Sequence, residues 1–424
     1  MKRLLGLLMI GLLLVGCGSN MNTHDDAFDS VEATTEETSS IVVEASTDSI
    51  EEASSDIEVS VSEVVVESEK LSIELDRTIE VTLTNQQYGA GLLTAGRWND
   101  NVNFEYFMEV LRDNNWYNMQ SHWKFEDFNR YTFEVNDTNG RPVVGAKIIL
   151  ESEQGQNEKV AITDNKGKAV IYPNMNSSKK IDHATIEYNN QVFEILDLDE
   201  EDYKVTIDVD LKTNNDVDIM FVVDTTGSMS DELEYLKVEL QDVIERVKKE
   251  NSNQLDIRMS GNYYRDHGDK YVVRSFDFTS NIDKVIEQMS NQVADGGGDY
   301  EEAVVEALDD GIYKHKWRES ARAKLLFLVL DAPPHHTNDN IEAIHTLMDE
   351  ATEMGIKIIP IASSGVDKET EFLLRFMALD TGGEYIFLTD HSGVGNSHIT
   401  PTIGYYEVEQ LNDMLVDIIN QYVE

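Results

Sequence analysis

The feature that most limits how this chain can fold is a continuous apolar run, Ile219-Met220-Phe221-Val222-Val223, that stops at Asp224-Thr225-Thr226-Gly227-Ser228. A half-exposed strand alternates polar and apolar residues. Five apolar residues in a row therefore indicate a strand covered on both faces, as in the middle of a parallel sheet. The next stretch changes period: Leu233, Leu236, Leu240, Val243, Ile244 and Val247 recur at helical spacing and mark one apolar face. The pattern then repeats, with strands expected at 324–330, 357–362 and 385–388 and helices at 339–354, 368–379 and 407–422. Such alternation predicts an α/β domain with a doubly wound sheet over 215–424, whose ligands bind beyond the carboxyl ends of the strands.

Three loops at that edge carry oxygen donors. In Asp224-x-Thr226-x-Ser228 alternate residues of a tight loop aim one carboxylate and two hydroxyls at one point. Alone, that motif would serve equally well as a helix N-cap. It is joined by Gly296-Gly297-Gly298-Asp299 and by Asp331, which follows the 324–330 run. Together these segments resemble the metal-ion-dependent adhesion site (MIDAS) of von Willebrand factor A domains, and the resemblance covers the C-terminal half of the chain. It implies a Rossmann-like fold and a metal site of Asp224, Thr226, Ser228, Asp299 and Asp331. Such hard oxygen donors suit Mg²⁺, with Mn²⁺ or Ca²⁺ as alternatives. It also implies capture of a protein or glycan partner, whose own carboxylate often completes the coordination.

Two departures from the family pattern bear on that expectation. Thr226 stands where the family has serine and keeps the hydroxyl. Asp299 stands where many members have threonine, giving three carboxylates around one dication, which would hold the metal but weaken its pull on an acidic ligand. The glycine loop and Asp331-Ala332-Pro333-Pro334-His335 also resemble a bacterial branch of the family with a GGGD-x-PE loop, in which Glu301 here replaces the proline.

His267, His335 and His336 lie near these loops and raise the question of hydrolysis. No H-E-x-x-H spacing, no nucleotide-binding glycine loop and no Ser–His–Asp arrangement accompanies them. They are expected at the rim of a ligand site, and the chain is expected to be a binding protein, not an enzyme. An envelope-assembly scaffold is the first alternative and a metal-dependent hydrolase the second.

The N-terminal half reads differently. Residues 131–214 carry β signals and two turn clusters, Asn136-Asp137-Thr138-Asn139-Gly140 and Thr163-Asp164-Asn165-Lys166-Gly167. Their layout resembles the carboxypeptidase regulatory-like β-sandwich, which would act as a stalk. Residues 71–130 hold an alternating stretch at 71–83 and then Trp98, Trp116 and Trp123, expected to be the core of a small aromatic-rich module. A sugar- or peptide-binding face is the alternative for these aromatics. Residues 18–70 have fifteen acidic residues and one lysine among mainly small polar residues, the composition of a disordered acidic linker. Residues 1–17 show a basic start, an apolar run and Leu14-Val15-Gly16-Cys17, which resembles a bacterial lipobox. The resemblance implies a lipoprotein signal peptide, lipidation of Cys17 and a lipid-anchored, extracytoplasmic protein at the cell membrane. The net charge of −47, from 81 acidic against 34 basic residues, argues against nucleic acid as a partner.

Overall fold

The computed structural model describes residues 89–424 apart from 126–127, 153–156, 174–179, 196–197, 213 and 252–253. Cys17, the expected signal peptide and acidic linker, and the 71–83 alternation lie outside the described residues.

In chain order the strands are β1 (Thr94–Trp98), β2 (Tyr131–Asp137), β3 (Lys147–Ser152), β4 (Asn157–Ile162), β5 (Lys168–Ile171), β6 (Ile181–Tyr188), β7 (Gln191–Ile195) and β8 (Asp202–Ile207). Then follow β9 (Asp216–Asp224), β10 (Asp256–Tyr264), β11 (Val273–Arg274), β12 (Ala323–Leu330), β13 (Ile356–Ala362), β14 (Tyr385–Leu388) and β15 (Glu409–Gln410). Eight of them form one mixed sheet in the order β11-β10-β9-β12-β13-β14-β1-β15. Its centre, β10 to β14, is parallel, while β11, β1 and β15 add antiparallel edges.

The apolar run of β9 is divided between two cores by the two-residue period of a strand. Met220 and Val222 enter one core with Leu326, Leu328 and Leu330 of β12. Val217, Ile219, Phe221 and Val223 enter the other with Leu325, Phe327 and Val329. The first face is covered by helices Asn338–Met354 and Lys368–Thr381, the second by Ser230–Asn251 and Leu411–Val423. Burying each such leucine or valine contributes about 1.5–3 kcal/mol.

Residues 89–125 contribute to this large sheet and its core, where the 71–130 segment is expected to form a separate module. β1 lies antiparallel to β14, pairing Ala95 with Leu388 and Trp98 with Tyr385. Leu93 and Ala95 are buried in the second core, and Trp116 and Trp123 in the first, Trp116 edge-on to Phe372. These two tryptophans are thus core residues of the α/β layer. The strand also explains why the last helix begins at Leu411, not at 407. Glu409 and Gln410 pair with Ala95 and Thr94, which holds the chain extended until that edge ends.

Residues 131–207 form two sheets, β5-β2-β8 and β4-β3-β6-β7, whose apolar residues meet in one cluster that includes Phe133, Val135, Ile148, Leu150 and Ile186. Both expected turn clusters are turns. Asp137 accepts from the amides of Asn139 and Arg141 at 2.9 and 2.8 Å. Gly167 has φ +70°, and a Cβ there would lie 2.4 Å from Val135 O, so the turn between β4 and β5 requires glycine. The two-sheet unit meets the α/β layer through Lys159, paired with Asp349 and Asp380, and through Asn165 Nδ2, which donates to Gln421 O at 2.7 Å.

Candidate metal centre

β9 and β12 are parallel neighbours in which Val223 pairs with Val329. Asp224 and Asp331 therefore leave the sheet together at its carboxyl edge. Past Asp224 the chain makes one tight turn, Gly227–Met229, and enters helix Ser230–Asn251. Asp224 organises that turn. Its Oδ1 accepts from the Thr226 amide at 2.8 Å and from the Thr226 hydroxyl at 2.7 Å. Thr226 Oγ1 stands 3.1 Å from Ser228 Oγ, and the Ser228 side chain in turn interacts with Asp331. One carboxylate and two hydroxyls thus converge as the spacing predicts. Asp224 Oδ2 and Asp331 Oδ1 remain buried with no hydrogen-bond partner.

The glycine loop is laid against this first loop. Gly227 N donates to Gly296 O, and Asp295 N to Thr225 O, both at 3.1 Å. Asp269 braces it by accepting from Gly297 N at 2.9 Å. Gly296 has φ +82°, and a Cβ there would fall 2.3 Å from the Asp269 carboxylate, so a side chain would break the brace.

Beyond the glycines the structure parts from expectation. Asp299 is exposed, and its carboxylate lies with Asp266 and His335, their ligand atoms within 4.8 Å of one another. The carboxylate that stands with Asp224 and Asp331 is Glu302. Its amide donates to Pro333 O at 2.9 Å, tying the glycine loop to the segment after Asp331. Its side chain is only 3% exposed, and Oε2 has no partner. Glu302 was not among the sequence candidates. The signal was present, because counting on from the glycines the Glu that ends the GGGD-x-PE pattern falls on Glu302.

Three carboxylates in a buried space without a cation resist ionising. Burial, then the charge of Asp331, raises the proton affinity of Asp224, and burial followed by Glu232 raises that of Asp331. Glu302 is pushed up to about 9, by burial first and then by Asp224, Asp266 and Asp331. Burying like charges together costs free energy unless a cation or a proton offsets them. The free oxygens, the hydroxyls and the absence of sulfur or nitrogen from this set fit Mg²⁺.

The three histidines do not act as one rim. His335 Nε2 lies 2.6 Å from Asp266 Oδ1. His267 Nε2 is 2.8 Å from Glu306 Oε1, with its ring 5.6 Å from that of His335. His336 turns away: it stacks on His122 at 3.4 Å, and its Nε2 is 3.1 Å from His122 O.

With this geometry in place, comparison with known proteins agrees on the class of domain: a von Willebrand factor A domain is found at residues 218–393. Domains of this class mediate protein–protein interactions and ligand binding. A putative ariadne-like RING finger protein of Acanthamoeba polyphaga mimivirus is 30% identical over 189 residues, which cover 41% of this chain and 18% of that protein. The chain thus spans less than a fifth of that relative's length.

Proposed function

We propose that the A domain holds a divalent cation, Mg²⁺ in the first instance, on Asp224, Ser228 and Asp331 with Thr226 and Glu302, and binds a protein partner there. Three buried carboxylate oxygens without a hydrogen-bond partner, on Asp224, Asp331 and Glu302, carry this reading. When bound, the cation supplies an open coordination position for an oxygen atom of the partner. This chain's residues bind and orient: Asp224 fixes the first loop, Ser228 bridges toward Asp331, and Glu302 ties in the glycine loop. Three carboxylates exceed the charge of one dication, so the site favours tight metal retention over strong capture of an acidic partner. Glu302, in the place expected for Asp299, supplies the third of those charges. A glycan, offering neutral oxygens, is a second class of partner compatible with that balance.

The reading is one of binding, without catalysis, and places the protein at a bacterial surface. Its support for location is the Leu14-Val15-Gly16-Cys17 sequence after an apolar run. The test is calorimetric titration of Mg²⁺, Mn²⁺ and Ca²⁺ into the metal-stripped protein and into Asp224→Ala. Saturable binding in the parent, lost in the variant, is the expected result. A parent that binds none of the three would sink the adhesion mechanism and bring the assembly-scaffold reading forward.

A further inference from the structure

We propose that Asp266, Asp299 and His335 form a second cation site, separate from that of Asp224, for a transition-metal dication of the Zn²⁺ class. Among the described residues this is the group of three His, Cys, Asp or Glu side chains whose ligand atoms all lie within 4.8 Å of one another. It is assembled from three different loops of one sheet edge. Asp266 follows β10, Asp299 ends the glycine loop, and His335 follows Asp331 and its prolines.

The donor set selects the ion. A neutral imidazole with two carboxylates suits Zn²⁺ or Mn²⁺, whereas Mg²⁺ prefers oxygen alone. His335 Nε2 and Asp266 Oδ1 are 2.6 Å apart, at hydrogen-bond distance with one proton between them. A dication with bonds of about 2.1 Å would take the proton's place once the two atoms separate to about 3 Å, a shift of a few tenths of an ångström. The other ring nitrogen, Nδ1, lies 3.7 Å from Glu301 Oε2. A carboxylate behind the imidazole is the usual means of orienting a metal-bound histidine.

An ion pair between His335 and Asp266 alone would leave Asp299 unexplained. Two carboxylates against one imidazolium remain net negative, and a dication balances both. The charge of Asp266 also reaches the first site, where it acts on Glu302 beside Asp224 and Asp331. Asp299, being exposed, gives the second site a path from solvent.

The test titrates Zn²⁺, and Co²⁺ as a visible-absorption probe of nitrogen ligation, into the metal-stripped full chain under saturating Mg²⁺. One Zn²⁺ per chain is expected, with a Co²⁺ spectrum showing nitrogen ligation. His335→Ala and Asp299→Asn should abolish both signals while Mg²⁺ binding persists, which shows that the variants fold. Glu301→Gln should weaken Zn²⁺ by about tenfold, and Asp224→Ala should keep the Co²⁺ spectrum. No Zn²⁺ binding by a parent that binds Mg²⁺ would overturn the proposal. So would Zn²⁺ that survives His335→Ala but is lost in Asp224→Ala, because that ion would occupy the first site.

Discussion

Two groups of buried ionisable side chains are built to opposite rules. Asp100, Glu371 and Arg375 are almost wholly shielded from solvent, and so are Asp224, Glu302 and Asp331. In the first group every charge has its partner. Arg375 Nε and Nη2 donate to the two oxygens of Asp100 at 2.8 and 2.6 Å, and Nη1 lies 3.6 Å from Glu371 Oε1. Trp98 Nε1 adds a bond to Asp100 at 3.0 Å, and the Arg375 guanidinium sits 4.7 Å above the Trp116 ring. In the second group the carboxylates of Asp224 and Asp331 face hydroxyls, from Tyr264 and Ser228 respectively, and among the described residues no Lys or Arg pairs with the three oxygens left over. The first group fastens the 89–123 segment to helix Lys368–Thr381. The second is an incomplete coordination shell. Burial alone therefore does not mark function; burial without compensation does.

Substitution should separate the two most sharply. Arg375→Ala strands Asp100 and Glu371 in the interior and should cost about 3–5 kcal/mol of stability by urea denaturation. Asp224→Ala in cation-free buffer should stay within about 1 kcal/mol of the parent, because relief of repulsion offsets the hydrogen bonds lost from Thr226. A comparable loss in both variants would end the distinction. Cation addition should act in one direction only. At about a hundredfold excess over Kd, Mg²⁺ should stabilise the parent by about 2.7 kcal/mol and leave Asp224→Ala unmoved.

A third buried carboxylate refines the contrast. Glu239, on helix Ser230–Asn251, accepts from the backbone amides of Gly91, Leu92 and Leu93 at 2.8, 2.8 and 3.0 Å. It is compensated by main-chain donors, with no cation needed. Glu239→Ala should cost about 2 kcal/mol, since buried N–H groups lose their acceptor. The loss should appear as faster amide hydrogen exchange at Leu93 and along β1. Unchanged exchange there would show that the pairing of β1 with β14 suffices to hold the segment.

What was legible in the sequence follows from how local each determinant is. Ile219–Val223 announced a two-faced strand because burial on both faces leaves no polar position. Asp224, Thr226, Ser228 and Asp331 were legible because each lies within a few residues of a strand end. β1 was not, since its partner Leu388 is far along the chain and five residues of moderate polarity show no core pattern. Glu302 was missed and Asp299 misplaced for one physical reason. The left-handed glycines reverse the chain, and the contact of Glu302 N with Pro333 O decides which acid turns inward. No spacing rule expresses that tertiary contact.

A last effect, confined to alkaline pH, concerns a buried cation that lacks a carboxylate. Lys324, 4% exposed, donates from Nζ to the carbonyls of Glu319 and Met354 at 3.1 and 2.8 Å. Burial lowers its pKa to about 8, although Asp218 and Glu319 act to raise it, with Lys357 adding to the depression. The folded amine then gives up its proton at a pH where the unfolded one, near 10.4, still holds it. Between those values the unfolded state binds more protons, so this group's contribution to stability rises with pH. Lys324→Met removes that contribution, and parent and variant should diverge from pH 8 upward by no more than about 1.4 kcal/mol per pH unit. Parallel curves through that window would mean that the two carbonyls compensate the ammonium as fully as Asp100 compensates Arg375.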